Sequence, residues 1–458
     1  MKNKKRILII ISDYLFVRNY ISTKVFKKMS KKYKVKFLIN DKIDLKKRDF
    51  DSYNFKKFQY NEKDKKNFYN IFRRKIWQNV NKSNSFKFKL KIYLQFNRYF
   101  DDETFLSKIL KFPIRLLSFL RNYFIYFYDT SIMTFFLRKV EESKLPINKS
   151  LFNEIKKFDP NLIIFPTNTI NQSKYDLYKI TKKIDYKILY LVDNWDNLSS
   201  KSTLFNKKSL FTVWGEQTAN HARKIQNIPK EKIQILGTPR FESYFKLRNL
   251  KINSFFKFKY ILFLESTLPS ESKILPILDK IISNNVKFKG LKIIYRPHPW
   301  RKSLKIYKEK DFKNIIIDPQ AKKNYLKKNF SSLVQPPLNY YPSLIKNAEF
   351  IISGPTSMIV ESLIFRKSIL LLNFKLKNFL LSPYNILKNF EHFKGIDKSS
   401  GIIKNRDLSN LEADLLKCFQ NRKKISYKKV DLHRDYFLTE KCKNYKNNLN
   451  ILINKILK

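Results

Sequence analysis

The chain has 458 residues, 43% of them hydrophobic, and carries 95 Lys and Arg against 38 Asp and Glu, a net charge of +57. That length suits two or three domains with cores of their own and excludes a disordered basic tail. With only six glycines, no GxGxxG and no GxxxxGK can be written, which excludes glycine-loop dinucleotide and Walker-type phosphate binding; two cysteines and four scattered histidines exclude a structural zinc site and a disulfide scaffold and fit a reducing compartment.

The chain opens MKNKKRILIIISDY, whose apolar run from Ile7 to Ile11 is shorter than the roughly 7 to 15 residues of a secretory core and reads as a first β-strand. A helix from about Val17 to Lys32 and a strand VKFLI at 35–39 complete the opening of an α/β sheet. Residues 41–150 lose this rhythm and are expected to be a helical, basic and aromatic insert. Within it, 112–140 is strongly apolar but is interrupted by Arg115, Arg121 and Asp129, short of the ~18 uninterrupted residues of a membrane span. Core or lid helices account for it, and a basic, aromatic segment in a membrane interface is the sharper alternative.

Strands resume at NLIIF (161–165), KILYLV (187–192), SLFTV (209–213) and IQIL (233–236). A second series follows at KYILFL (259–264), LKIIY (291–295), NIIID (314–318), FIIS (350–353) and SILLL (368–372). The expected fold class is α/β with two Rossmann-like domains facing a cleft: 1–248 with the insert at 41–150, 249–430, and a C-terminal helix at 431–458.

Ligands of open parallel sheets bind outside the carboxyl ends of the strands. Five exits of the first series carry polar or aromatic sets: Ser12 and Asp13; Thr167 and Asn168; Asp193, Trp195 and Asp196; Glu216; and Arg240. Asp193, Asp196 or Asp13 could act as general base toward an acceptor hydroxyl, and Trp195 could offer a flat face to a sugar, against the alternative that Asp193 caps a helix and Trp195 packs on the sheet. Thr167, Asn168, Trp195, Glu216 and Arg240 make up the expected acceptor cleft.

In the second series, Arg296 and His298 each precede a proline, which forces both residues out of the α region and holds them at spacing two on a stiff strand exit. Arg can fork onto a phosphate and His can donate to a leaving oxygen. Downstream, Ser353 ends a strand, Gly354 permits a close turn, and Pro355, Thr356 and Ser357 begin a helix whose free amides and hydroxyls suit an anion. Glu361 follows Ser357 by four residues, ~6 Å along the same helical face, a distance suited to ribose hydroxyls.

At these residues the chain resembles GT-B glycosyltransferases, in particular surface-polysaccharide and capsule enzymes related to CDP-glycerol glycerophosphotransferases and polysialyltransferases. RPHPW (296–300), NYYPSLIKNAEFIISGPTSMIVESLIFRKSILLL (339–372), VWGEQ and ILGTPRF carry the resemblance, which spans about residues 190–375. It implies a nucleotide-sugar or a CDP- or CMP-type donor as substrate, no separate cofactor, no catalytic metal, and a glycan or lipid-linked acceptor of surface polysaccharide, capsule or lipopolysaccharide synthesis. Arg296, His298, Ser353, Gly354, Thr356, Ser357 and Glu361 would take the donor. The CDP-glycerol enzymes use an N-domain histidine as base; here no histidine precedes His221, so the role would pass to Asp13, Asp193, Asp196 or Glu216.

Lysine dominates the charge, and the chain is rich in Phe, Tyr, Asn and Ile and poor in Gly and Pro, biases that an AT-rich genome imposes. Most of the +57 is accordingly expected to be compositional. The remainder fits an anionic membrane ahead of any nucleic acid, on a cytoplasmic protein peripheral to the inner face of the membrane. A sugar-nucleotide 2-epimerase of the same fold and a basic RNA- or membrane-binding protein are the competing expectations.

Overall fold

The computed structural model describes residues 4–43, 54–59, 83–94, 147–167, 172–201, 206, 208–299, 309–326, 336–376 and 379–458, with positions 109, 112, 113, 116, 117 and 120 between them. Asn168 and most of the 41–150 insert, including nearly all of 112–140, lie outside the described residues.

Two all-parallel sheets form the body. The first is ordered β3-β2-β1-β4-β5-β6-β7, from β1 (Arg6–Ile11), β2 (Lys34–Asn40), β3 (Phe55–Phe58), β4 (Leu162–Thr167), β5 (Ile188–Val192), β6 (Leu210–Val213) and β7 (Ile233–Ile235). The second is ordered β10-β9-β8-β11-β12-β13, from β8 (Tyr260–Leu264), β9 (Lys292–Arg296), β10 (Ile315–Ile317), β11 (Ile351–Ser353), β12 (Ile369–Leu372) and β13 (Ile402–Asn405). Both reverse direction beside their own first strand, as doubly wound sheets do, so each has a switch-point crevice at its carboxyl edge. In the first it lies between β1 and β4, in register at Ile7 with Leu162 and Ile9 with Ile164; in the second, between β8 and β11, with Leu264 opposite Ser353.

Unbroken Ile, Leu and Phe runs make these strands because each sheet is covered on both faces. Ile7, Ile9 and Ile11 pack on Tyr445, Leu449, Ile453 and Leu457 of the final helix Tyr445–Leu457, while Leu8 and Ile10 pack on Leu151, Ile155, Leu177 and Ile180 on the other side. Ile261 and Phe263 face one core of the second sheet and Leu262 and Leu264 the other.

Three local features depart from the sequence expectation. The segment expected as one helix over 17–32 is a helical turn at Tyr14–Phe16, a π-helical turn at Val17–Ile21 and a short helix at Met29–Lys32. The Thr23 hydroxyl donates to the carbonyls of Asn19 and Tyr20, and Lys24 adopts φ 55°, which ends the first helix early. The insert contributes an edge strand, β3, as well as the helix Asn84–Leu94, and β13 completes the second sheet; both strands are short and partly lysine-lined, which hides their periodicity. The C-terminal segment contains two helices, Tyr427–Phe437 and Tyr445–Leu457, and the second returns to the first sheet. Gly237 makes that return possible: its φ of 84° is left-handed, and an added Cβ would lie 1.8 Å from Cys442 Sγ.

Candidate active site

The first-domain edge is organised around Asp193, the residue after β5. Its backbone N–H donates to the Thr167 carbonyl, and its own carbonyl accepts from Trp214 Nε1 at 3.0 Å. Asn19 Nδ2 donates to Oδ1 at 3.0 Å and to Oδ2 at 3.2 Å. Burial pushes the Asp193 carboxyl above the usual range, Arg240 and the Asn19 bonds pull it down, and nearby Asp13 adds to the rise. Asp13 caps the first helical turn by accepting from the Leu15 amide, and Arg18 Nε reaches across to the Pro336 carbonyl at 2.8 Å. Arg18 and Asn19 thus face the cleft from a π-helical turn, a geometry that recurs at functional sites.

Asp196 behaves differently. Burial raises its carboxyl, but the charge of Lys201 at 2.6 Å outweighs burial and holds it below the usual range. Lys89, which donates to the Ser200 carbonyl from the helix Asn84–Leu94, is lowered to about 7 by burial and by Lys201. Lys201 also acts on His298 of the second domain, so this cationic group and the β9 exit stand near each other.

On the second-domain edge, β8, β9 and β11 end side by side. The Glu265 amide donates to the Arg296 carbonyl, and the Gly354 amide to that of Leu264. The His298 amide donates to Glu265 Oε2 at 3.3 Å, and burial, Lys201 and Arg296 lower its imidazole to about 4, so it works as a neutral ring. The Ser353 hydroxyl turns back onto the Gly354 carbonyl. Thr356 and Ser357 are half-buried, and Ser357, at the N-cap of the helix Met358–Ile364, makes no side-chain capping bond. Gly354 is required by close approach, because a Cβ there would lie 2.1 Å from Glu271 Oε1.

The two edges meet at Glu361. Tyr244 of the helix Arg240–Arg248 donates to its Oε2 at 2.7 Å, and Arg240 stands 3.7 Å from Oε1. Arg240 also approaches Asn194 Oδ1 at 3.4 Å and lies over the Trp214 ring. Asp193, bonded to Asn19, lies within reach of the charge of Arg240, and Arg240 with Tyr244 leads on to Glu361 behind the second sheet edge.

Three sequence assignments need correction. Arg296 does not present an open fork to a phosphate: it is 5% exposed, its NH1 donates to Asp318 Oδ2 at 2.8 Å and its NH2 to the Tyr341 hydroxyl at 2.9 Å. The β9–β10 register, which sets Ile317 against Tyr295, puts Asp318 where it takes the guanidinium. Trp195 offers no sugar platform. It is 2% exposed and enclosed by His392, Phe393 and Phe437, ring partners that follow it by some two hundred residues in the chain. Glu216 is exposed at the start of its helix and pairs with Arg223 at 3.0 Å, away from the buried set. Thr167 serves through its carbonyl, which accepts from Asn197 Nδ2 and the Asp193 amide.

Sequence reading did not single out Asn19, Lys89, Lys201, Tyr244, Glu271, Asp318 or His392. Asn19 lies six residues beyond Asp13, and extending the search past the first two residues after β1 would have reached it. The others become neighbours only through tertiary packing. Among the described residues no group of three or more His, Cys, Asp or Glu could hold a metal ion, and no helix is long and apolar enough to cross a membrane.

No family model matches the sequence, and no curated protein does. Solved structures are similar in fold. A putative UDP-N-acetylglucosamine 2-epimerase from Listeria monocytogenes is similar at a TM-score of 0.51 and 7% identity, over 99% of this chain and 97% of that one. A glycosyltransferase from Rickettsia africae follows at 0.48 and 14%, over 100% and 99%, and the wall teichoic acid polymerase TagF at 0.44 and 12%, over 100% and 90%. With its two doubly wound parallel sheets, the chain has the GT-B α/β architecture.

Proposed function

We propose that the protein is a transferase that moves a glycosyl or glycerophosphate-like group from a nucleotide-activated donor, held by the second domain, to a surface-polysaccharide or lipid-linked glycan acceptor held by the first. The observation that supports it best is that Asp193, bonded to Asn19 at the first sheet edge, lies within reach of the charge of Arg240, which with Tyr244 meets Glu361 of the second domain. A carboxyl with raised proton affinity stands at one end of this arrangement, and a strand exit with a neutral histidine and a hydroxyl-bearing helix start lies at the other.

In this reading Asp193 is the general base, because burial gives it the proton affinity that Asp196, tied to Lys201, lacks. Glu361 takes the ribose, and Thr356, Ser357 and neutral His298 donate to the phosphates as charge develops on the leaving group. Arg296 supports this site from behind through Asp318 and Tyr341. The acceptor's membrane setting is supported by the apolar side chains of Ile109, Phe112, Leu116, Leu117 and Leu120, each exposed to solvent on a basic chain.

A screen of CMP, CDP, UDP, GDP and their sugars by thermal shift, followed by transfer assays of wild type and D193N, tests the reading. Expected are stabilisation by one nucleotide class and a loss of about 10²- to 10⁴-fold in transfer on D193N with binding retained. Full transfer by D193N would remove the base assignment, and indifference to every nucleotide would remove the donor site. The 2-epimerase reading shares the fold and is separated by incubation without acceptor: an epimerised sugar nucleotide would establish it in place of transfer.

A further inference from the structure

Glu271 has no part in the transfer mechanism above, yet it occupies the switch-point crevice of the second sheet. It sits in the turn Pro269–Ile274 after β8 and is fully buried, with its carboxyl lying on the face of Gly354 that a Cβ would fill. The Ser266 amide donates to Oε2 at 2.6 Å, and the Ser266 hydroxyl lies 2.5 Å from Oε1. Ser266 Oγ also accepts from the Leu268 amide at 3.3 Å. Ser270, on the same turn, has a buried Oγ with no hydrogen-bond partner among the described residues.

We propose that Ser266 is a ligand for the donor's phosphate, and that the carboxyl of Glu271, packed on Gly354, is the positioning group that turns the Ser266 hydroxyl proton toward that phosphate. The inference rests on the reading that this domain holds a nucleotide-activated donor. Burial raises the Glu271 carboxyl to about 8, with the two Ser266 bonds opposing the rise, so near neutral pH it carries a proton. A protonated Oε1 donates to Ser266 Oγ, whose other acceptor position is filled by the Leu268 amide. The hydroxyl proton of Ser266 then has no partner on the Glu271 side and is delivered into the crevice. When Glu271 ionises, the direction reverses: Ser266 must donate to the carboxylate, and a negative charge faces the phosphate.

The elements packed around this carboxyl carry Glu265 before the turn, Lys273 on it, Asp279 and Lys280 on the following helix, and Arg296 and His298 at the β9 exit. His298, lowered to about 4, stays neutral throughout the alkaline range. Glutamine at position 271 reproduces the protonated acid: its amide N–H donates to Ser266 Oγ and its oxygen accepts the Ser266 amide, at every pH.

The test is calorimetric titration of the full chain, E271Q and S266A with CDP, UDP and GDP, whose terminal phosphates are already ionised between about pH 7 and pH 9.5, and separately with inorganic pyrophosphate, whose last proton is lost within that range and whose binding is therefore read relative to E271Q at the same pH. Wild-type affinity should fall at least about tenfold across that range, E271Q should stay flat, and S266A should be at least about tenfold weaker at pH 7, the scale of one hydrogen bond to a charged group. S266A binding as tightly as wild type, or E271Q falling with pH as wild type does, overturns the proposal. If E271Q fails to fold, S266A decides alone. Pyrophosphate binding with this pH signature but no nucleotide binding supports the phosphate seat while removing the nucleotide-donor reading, and binding of neither probe overturns both.

Discussion

Tyr244, on the helix that follows β7, donates its hydroxyl to the carboxylate of Glu361, on the helix that follows β11, at 2.7 Å. Burial and the negative charge of Glu361 both push the Tyr244 phenol up, so it remains a donor at any working pH. Y244F should remove this bond and cost about 1 kcal/mol of stability while leaving Glu361 with Arg240. If Glu361 receives the ribose, donor affinity should be unchanged or improved in Y244F and at least about tenfold weaker in E361Q, as one charge-assisted hydrogen bond predicts. Equal donor affinity in E361Q and wild type would take Glu361 out of the donor site.

Arg296 and Asp318 form a buried pair, and the Tyr340 hydroxyl closes onto the second Asp318 oxygen at 2.5 Å. Truncating one partner strands the other charge, an effect of about 3 to 5 kcal/mol. R296A should therefore lower the urea midpoint sharply and lose transfer through the fold. R296K should recover only part of the loss, because an ammonium cannot reach both Asp318 and Tyr341 or lie over the tyrosine rings as the guanidinium does. Wild-type stability with lost transfer in R296A would instead restore Arg296 as a direct phosphate ligand.

Three histidines, His221 and His392 buried and His298 half-buried, are neutral in the native fold: His298 and His221 are lowered to about 4 and His392 to about 3, loss of solvent being the main cause in each. Their unfolded value is 6.5, so between about pH 6.5 and 4 the unfolded chain binds more protons than the native one, and native stability falls as pH falls through that window. Each contributes up to about 1.4 kcal/mol per pH unit. Glu271 opposes them, since its native value of about 8 lies above the ordinary carboxyl value of 4.5 and its stabilisation is lost as pH rises between the two. Urea unfolding at several pH values should show the acid decline, and H392Q should make it shallower. An unchanged slope in H392Q would show that this ring is already protonated in the native state.

Both sheets were legible in the sequence because buried parallel strands are written as unbroken apolar runs, such as RILIII and YILFL, and because polar residues gather at their exits. The exits gave Asp193 and His298 their places. They could not show what a side chain does after leaving the strand. Two prolines hold Arg296 extended, but only the β9–β10 register shows that Asp318 is there to take it. Trp195 likewise follows a strand end, and its burial depends on Phe393 and Phe437, some two hundred residues away in sequence. Glu271 lies in a turn that no periodicity marks, and its role is visible only against Gly354.

The exposed apolar side chains of Ile109, Phe112, Leu116, Leu117 and Leu120 bear on where an acceptor would be met. Leu117 is 68% and Ile109 54% exposed, a large apolar area for water to cover, on a chain with a net charge of +57. Apolar insertion and attraction to anionic lipid reinforce each other on such a surface, each basic residue near the bilayer adding about 1 kcal/mol. The full chain should therefore float with vesicles of phosphatidylglycerol and phosphatidylethanolamine, bind those of phosphatidylcholine weakly, and lose anionic binding in raised salt. F112E with L117E should abolish flotation while leaving nucleotide binding intact, since neither residue belongs to the Asp193–Glu361 set. Flotation unaffected by the double variant would move the membrane contact elsewhere. No flotation of wild type with anionic vesicles would leave the acceptor to be met in solution.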